Sequence, residues 1–131
     1  MVPHEMPSGG DWALSRSGSV HLDGVEDAVV ADCLFTRQGS IALFVSNYAR
    51  DVEITRNEFY LLIILAGDSK LRSPEPWDRR FDQDHVARVR ISYNIFSDWG
   101  FFELQSAGVF HSIVKDITIE NNVLFNAPRS G

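Results

Sequence analysis

Four short segments of the chain repeat one arrangement of apolar and polar residues. The segments are AVVADCLF at 28–35, VEITRNEF at 52–59, VRISYNIF at 89–96 and ITIENNVL at 117–124. In each, apolar residues stand at the first and third positions around a mostly polar second position. Such alternation is typical of a strand that buries one face. Each segment therefore predicts a β-strand that ends where the alternation breaks.

The segments also agree column by column, which indicates one repeated structural unit. The first column holds Ala28, Val52, Val89 and Ile117, and the third holds Val30, Ile54, Ile91 and Ile119. The sixth column holds Cys33, Asn57, Asn94 and Asn122, and the eighth holds Phe35, Phe59, Phe96 and Leu124. Successive repeats begin 24, 37 and 28 residues apart. Units of this length cannot each bury an apolar face alone, but stacking them in register gives a continuous core.

Weaker apolar segments between the repeats predict further strands at 19–24, 41–45, 61–65 and 101–104. No segment has the periodicity of an amphipathic helix longer than two turns. The sequence therefore predicts an all-β fold in which every unit carries at least two strands. An antiparallel β-sandwich of four similar strands is the alternative, since alternation occurs there too. It is less favoured because sandwich strands need not carry Asn and Phe in matching columns.

Asparagine in the sixth column suits a corner of the chain. Asparagine tolerates left-handed backbone, and its amide can bond to backbone or to another amide. We therefore expect Asn57, Asn94 and Asn122 to form a hydrogen-bonded ladder, one strand separation apart. The phenylalanines of the eighth column are expected to pack in the core. In the second column, Glu53 and Arg90 are expected to pair across adjacent units.

The recurring pattern V-x-I-x-x-N-x-F, with loops of variable length, resembles right-handed parallel β-helix proteins of the pectate-lyase-like superfamily. The segments FVSNYARDVEITRNEF and NNVLFNAPRSG look like parts of large β-helix repeat proteins, and the resemblance covers roughly residues 10–131. It implies about four coils over 18–131, with 1–17 as an N-terminal segment and possible cap. The motif is more specific for the fold than for any activity.

In such relatives a stretch like NAPRSG is followed by further coils. We therefore expect the chain to be a fragment of a larger extracellular or cell-surface protein, although no signal peptide is visible at its start. Uncapped coils expose strand edges and apolar core, so end-to-end self-association is also expected.

Composition narrows the function classes. The 131 residues have a formal net charge of −6, which disfavours nucleic acid as a partner. The longest apolar run, residues 61–66, is too short to insert across a membrane. The single cysteine, Cys33, excludes an intrachain disulfide and any cysteine-rich metal site.

The long interval between the second and third repeats contains a charged insertion, residues 67–85, GDSKLRSPEPWDRRFDQDH. Long loops in compact domains are often functional, although many charged loops are simply solvated. Elimination across a uronic acid needs a base and a cation that neutralises the carboxylate. The candidate bases are Lys70, Arg72 and His85, and the candidate neutralising residues are Arg79 and Arg80. Asp82 and Asp84 are oxygen ligands at a spacing that can bind Ca²⁺.

Further candidates lie beside this insertion. Glu103 and Gln105 would project from one face of a strand, with His111 nearby, and Glu103 is a candidate acid if the reaction is hydrolysis. Exposed aromatic residues can stack on sugar rings or pack at corners. The residues in question are Trp77, Trp99, Tyr48 and Tyr60.

Two functions stay open at this stage. One is a polysaccharide lyase-like enzyme acting on acidic glycans, and the other is a non-catalytic module that binds glycans or proteins. The signature motifs expected of pectate lyases and of mannuronan epimerases are absent from the sequence, which weakens the case for catalysis.

Overall fold

The computed structural model describes residues 18–37, 41–60, 63–66, 85–99, 107–112 and 114–127. Over these ranges the chain forms eleven β-strands. They are β1 Val20–Glu26, β2 Val29–Ala31, β3 Leu34–Phe35, β4 Leu43–Thr55, β5 Glu58–Phe59, β6 Ile63–Ala66, β7 Val86–Ser92, β8 Ile95–Ser97, β9 Val109–Ser112, β10 Val114–Glu120 and β11 Val123–Phe125.

The strands form two sheets, and every strand pairing in them is parallel. The larger sheet has seven strands in the order β10-β7-β4-β6-β9, with β1 and β2 also paired to β4. The smaller sheet has the order β11-β8-β5-β3. The fold is therefore all-β with parallel sheets, and the antiparallel sandwich is excluded because its neighbouring strands would run in opposite directions.

The pairing divides the described strands into four rungs. Rung 1 contains β1, β2 and β3, and rung 2 contains the long strand β4 and β5. Rung 3 contains β6, β7 and β8, and rung 4 contains β9, β10 and β11. Strand β4 spans both parts of its rung, because its first half pairs with β1 and β6 and its second half with β2 and β7.

The register of the pairing matches the columns of the sequence repeat. Val52 pairs with Val89, which pairs with Ile117, and the third column pairs in the same way. The segment at 41–45, expected as a separate strand after the first repeat, instead runs without a break into the second repeat as β4. The segment at 61–65 lies partly in β6, and 101–104 lies outside the described residues.

The apolar core lies on the inward face of the rungs. In rungs 2 and 3 the first and third columns are fully buried, as at Ile54 and Ile91, each 0% exposed. In rung 4 the equivalent Ile119 is 46% exposed, because within the described residues no strand pairs on its outer side. Burial of the same column therefore depends on having a neighbouring rung on both sides.

The aromatic column forms a continuous stack within this core. The rings of Phe35 and Phe59 have centroids 4.7 Å apart and are inclined by 14°. Phe59 and Phe96 follow at 5.1 Å and 13°. These distances are close to one strand separation, so parallel register alone brings the rings face to face. Leu124 continues the column in rung 4 and is 39% exposed.

Left-handed backbone occurs at the corners, but one residue earlier than the sequence led us to expect. The residue before the sixth column has φ between 53° and 57° in all four rungs, at Asp32, Arg56, Tyr93 and Asn121. A second column of left-handed residues consists of Asp27, Asp51, Arg88 and Asp116, of which the last three lie within β4, β7 and β10. The asparagines of the sixth column do not take up this conformation; their side chains bond instead to the neighbouring rungs. Exposed polar side chains occupy most of the left-handed positions.

Within the described residues, no helix combines the length and the apolar character needed to cross a membrane.

Candidate functional site

The outward face of the smaller sheet carries a half-open groove. Its described lining consists of Glu58, Phe59, Tyr60, Ile95, Ser97, Val123 and Phe125. These residues come from β5, β8 and β11, which lie side by side in rungs 2, 3 and 4, and from Tyr60, which directly follows β5. Because side chains alternate along a strand, the phenylalanine column points inward and its neighbours on either side point into the groove.

Two columns of side chains build the groove. Glu58, Ile95 and Val123 form the first column, since they are paired in register across the three strands. Tyr60, Ser97 and Phe125 form the second. Ser97 is paired directly with Phe125. Phe59 is paired with Phe96, and Tyr60 and Ser97 are the residues that follow them.

The second column alternates between large and small side chains. Tyr60 is 40% exposed and Phe125 is 52% exposed, whereas Ser97 between them is only 4% exposed. Two strand separations put the aromatic residues about 9.5 Å apart. The second column thus has two exposed aromatic residues with a buried serine between them.

The groove combines an apolar floor with a few polar groups. Ile95 and Val123 supply aliphatic surface, and Glu58 supplies a carboxylate two residues before Tyr60, on the same face of the chain. Sites for organic ligands are typically apolar and aromatic, with a small number of polar groups that fix orientation. The groove therefore shares with such sites an apolar surface that carries a polar group.

The asparagine column holds the corners from which the groove strands start. Asn94 Oδ1 accepts hydrogen bonds from Asn57 N and from Asn57 Nδ2, both at 3.0 Å. Asn122 Oδ1 accepts the equivalent pair from Asn94, at 2.9 and 3.0 Å. Each residue that follows an asparagine begins a strand of the groove, so this network fixes where Glu58, Ile95 and Val123 stand.

The amide nitrogens of the column also reach the preceding rung. Asn57 Nδ2 donates to Val30 O at 2.8 Å, and Asn94 Nδ2 donates to Ile54 O at 2.9 Å. In rung 1 the column is occupied by Cys33, whose backbone N donates to Asn57 Oδ1 at 3.0 Å. Both ends of each internal amide are therefore bonded, as buried polar groups require.

Most residues predicted to be catalytic or binding lie outside the described residues. They are Lys70, Arg72, Trp77, Arg79, Arg80, Asp82, Asp84, Glu103 and Gln105. The calcium hypothesis depends on two of them. Within the described part of the chain, no group of three or more His, Cys, Asp or Glu side chains is placed to hold a metal ion.

Two predicted site residues, His85 and His111, are described. His85 directly precedes β7 and is half-buried, and its Nδ1 has no hydrogen-bond partner among the described residues. His111 lies on β9 and is exposed, in register with Leu65. Strands β7 and β9 are not paired with each other. Neither histidine is part of the described groove lining.

Ion pairs cross the rungs on the outer surface. Arg56 pairs with Asp32 at 2.8 Å, and Arg88 pairs with Asp51 at 2.6 Å. The hydrogen bond from Arg56 lowers the pKa of the Asp32 carboxyl, and the hydrogen bond from Arg88 lowers the pKa of Asp51. A general acid needs a raised carboxyl pKa, so these two aspartates are poorly suited to that task.

Arg90 makes a third pair, but not with the residue expected. Glu53 and Arg90 are in register, as the second column predicts. Arg90 Nη2 nevertheless lies 2.6 Å from Glu120 Oε1, on the next rung.

Two of the four candidate aromatic residues, Trp99 and Tyr48, make contacts within the fold. Trp99 is 2% exposed and belongs to the core, so it cannot stack on a sugar. The Tyr48 hydroxyl donates to Glu26, which raises the pKa of Tyr48, and the Arg50 guanidinium lies 4.9 Å from the ring centroid. Trp77 is outside the described residues, which leaves Tyr60 as the candidate that faces the groove.

Sequence reasoning missed the other groove residues. Val123 and Phe125 flank Leu124 of the eighth column, so the alternation predicts that they point outward. Ser97 follows Phe96 in the same way that Phe125 follows Leu124. The alternation around the phenylalanine column was the signal that identifies them. No family model, curated protein or solved structure matches this chain.

Proposed function

We propose that the four rungs are coils of a right-handed parallel β-helix related to the pectate-lyase-like superfamily. The parallel pairing, the repeat offsets, the asparagine column and the recurring left-handed corners support this proposal. Distances between spin labels on neighbouring rungs test it: values that do not fit parallel rungs stacked in this register would overturn it.

We further propose that the chain binds a neutral glycan in the groove, as part of an extracellular or cell-surface protein. The observation that carries the proposal is the pair of exposed aromatic residues of the second column, Tyr60 and Phe125, with the exposed carboxylate of Glu58 in the first column. Sugar rings offer C–H faces to aromatic surfaces and hydroxyls to the exposed Glu58 carboxylate.

Charge favours a neutral glycan over an acidic one. Glu58 is an acidic side chain in the groove lining, and the chain has a formal net charge of −6. A uronate carboxylate placed beside Glu58 would be repelled unless a cation lay between them. The proposed ligand is therefore a neutral glycan, in place of the acidic polysaccharides that the resemblance implies.

Binding is favoured over catalysis by what the groove contains. Glycoside hydrolysis commonly uses two carboxyl groups on either side of the bond, and elimination uses a base with a cation. The described lining offers one carboxylate, Glu58, and no Lys, Arg or His. A lyase activity would depend on the residues of 67–85, so it is an outcome that the same experiment detects.

The test compares the wild-type chain with Tyr60→Ala on a panel of neutral and uronate oligosaccharides, using isothermal titration calorimetry. The control is Tyr93→Asn, because Tyr93 is also exposed, at 58%, but stands at a corner outside the described lining. We expect binding to neutral glycans that Tyr60→Ala weakens and Tyr93→Asn does not. Binding restricted to uronates, or ultraviolet absorbance from unsaturated uronates after incubation, would overturn the proposal.

A further inference from the structure

The outer edge of rung 4 exposes groups that are paired at the other rung interfaces. Within the described residues, no strand pairs with β10 or β11 on that side. Ile119 and Leu124, which continue the apolar columns of the core, are 46% and 39% exposed there. At the opposite end of the stack, Phe35 stands in the same column as Leu124 and is only 6% exposed. The two ends therefore differ, and the open apolar edge is the one at rung 4.

The interface between rungs 3 and 4 indicates what this edge can bind, because it repeats the hydrogen bonds that join rungs 2 and 3. Asn122 Oδ1 accepts from Asn94 N and Asn94 Nδ2, and Asn122 Nδ2 donates to Ile91 O at 2.8 Å. Val123 N donates to Asn94 O at 2.9 Å. The equivalent groups on the outer edge are Asn122 N, Nδ2 and O together with Ile119 O. They match an incoming parallel strand that carries asparagine in the sixth column.

A second copy of the chain does not supply that asparagine from its own first rung. Rung 1 has Cys33 in the sixth column, and the thiol donates to Ala31 O within the same rung. Rung 1 placed on rung 4 would cover the apolar columns but leave Asn122 N and Ile119 O without side-chain partners. Stacking of copies therefore does not extend the asparagine column.

The second column of left-handed residues adds a requirement for charge. Asp51 of rung 2 accepts two hydrogen bonds from Arg88 of rung 3, at 2.7 and 2.6 Å. Asp116 stands in the same column of rung 4 and is exposed. An arginine in this column of an incoming strand would meet Asp116 as Arg88 meets Asp51. Rung 3 itself has the full pattern, with Arg88 directly before the first column and Asn94 in the sixth.

We propose that the outer edge of rung 4 binds an extended segment of a separate polypeptide by parallel strand addition. The segment carries Arg directly before two alternating apolar residues and Asn in the sixth column. Main-chain hydrogen bonds give such additions their affinity, and side chains at fixed positions give the specificity. The asparagine accepts from Asn122 and donates to Ile119 O, and the arginine pairs with Asp116. The site is a strand edge rather than the groove face, so the inference does not depend on glycan binding.

The probe is a fluorescein-labelled peptide with the sequence of residues 86–97, VARVRISYNIFS, titrated with the chain and followed by fluorescence anisotropy. We expect saturable binding. An Asn94→Ala peptide should bind at least about tenfold more weakly, because it loses every side-chain hydrogen bond of the sixth column. Asp116→Asn in the chain should weaken binding of the intact peptide about threefold, because a single exposed ion pair contributes little. The same variant should not weaken binding of an Arg88→Gln peptide.

The matched control is Asp27→Asn, because Asp27 is exposed and occupies the same left-handed column on rung 1. It should leave peptide binding unchanged. Three results would overturn the inference: no saturation below ~1 mM, equal binding of the intact and Asn94→Ala peptides, or a loss with Asp27→Asn in place of Asp116→Asn. Self-association of the chain through Ile119 that is tighter than peptide binding, measured by sedimentation velocity, would also overturn it. Such a result would show that the edge prefers a partner without the sixth-column asparagine.

Discussion

Replacing Asn94 by alanine tests whether the asparagine column holds the rungs together. The Asn94 side chain is fully buried and makes four hydrogen bonds, which connect rungs 2, 3 and 4. Alanine removes all four and leaves the backbone N–H of Asn57 and the carbonyl of Ile54 without these partners. Each orphaned buried group costs about 1–3 kcal/mol, so we expect a loss of about 3–5 kcal/mol in the free energy of unfolding.

The same reasoning predicts that substitutions in the asparagine column differ in their cost to stability. Asn122 is half-buried and lies on rung 4, where water can replace part of what is lost, so Asn122→Ala should cost less, about 1–2 kcal/mol. The control is Asn121→Gly, which changes the adjacent exposed asparagine at φ 54°, a conformation that glycine adopts freely. It should change stability by less than about 0.5 kcal/mol.

The assay is urea unfolding followed by circular dichroism and by tryptophan fluorescence, to which the buried Trp99 contributes together with Trp12 and Trp77, with the free energy obtained by linear extrapolation. Coincident transitions from the two probes would support two-state unfolding. A loss of less than about 1 kcal/mol for Asn94→Ala would refute the reasoning. It would mean that the four hydrogen bonds contribute almost no net stability, so the column would not hold the corner together. Equal losses at Asn94 and Asn122 would refute the role assigned to burial.

Three other changes probe the stack, the surface pairs and the end rung. Phe59→Ala removes a ring stacked on both sides and should cost about 3–5 kcal/mol in urea unfolding; a loss below about 2 kcal/mol would contradict the packing role. Arg88 lowers the pKa of Asp51 in the folded state, so the stability from this pair is present above pH ~4 and is lost as pH falls through the lowered pKa. Asp51→Asn should therefore flatten the stability profile below pH ~4, and an unchanged acid profile would exclude this contribution. Ile119→Lys places a charge on the exposed core column of rung 4, so it should reduce concentration-dependent association in sedimentation velocity; equal association of variant and wild type would argue against stacking through this rung.

The sequence columns predicted the register of the rungs because they carry a strong physical signal. A position that faces the core in every repeat must stay apolar, so Val52, Val89 and Ile117 reveal their alignment without any structural information. The same holds for the phenylalanine column and for the asparagines, whose amides need partners in neighbouring rungs. Burial and hydrogen bonding therefore made the core predictable.

The corners and the groove were less accessible to sequence reasoning. Left-handed corner positions hold residues as different as Asp32, Arg56 and Tyr93, so their shared backbone leaves no common side chain to recognise. Outward positions such as Ser97 and Phe125 are not constrained by the core, and their residues differ from rung to rung. A site built from unlike residues in one column becomes visible only when the strands are placed side by side.

The hydrogen bonds of the asparagine column also bear on the order in which the rungs can form during synthesis. Each side-chain amide donates to a carbonyl that lies earlier in the chain: Asn57 to Val30, Asn94 to Ile54 and Asn122 to Ile91. During synthesis the N-terminal residues emerge first, so the acceptor of every such bond already exists when its asparagine leaves the ribosome. A nascent chain can therefore dock each new rung onto the one before it through these bonds, whereas the bonds that Asn57 and Asn94 donate to the next asparagine form only after the next rung has been made.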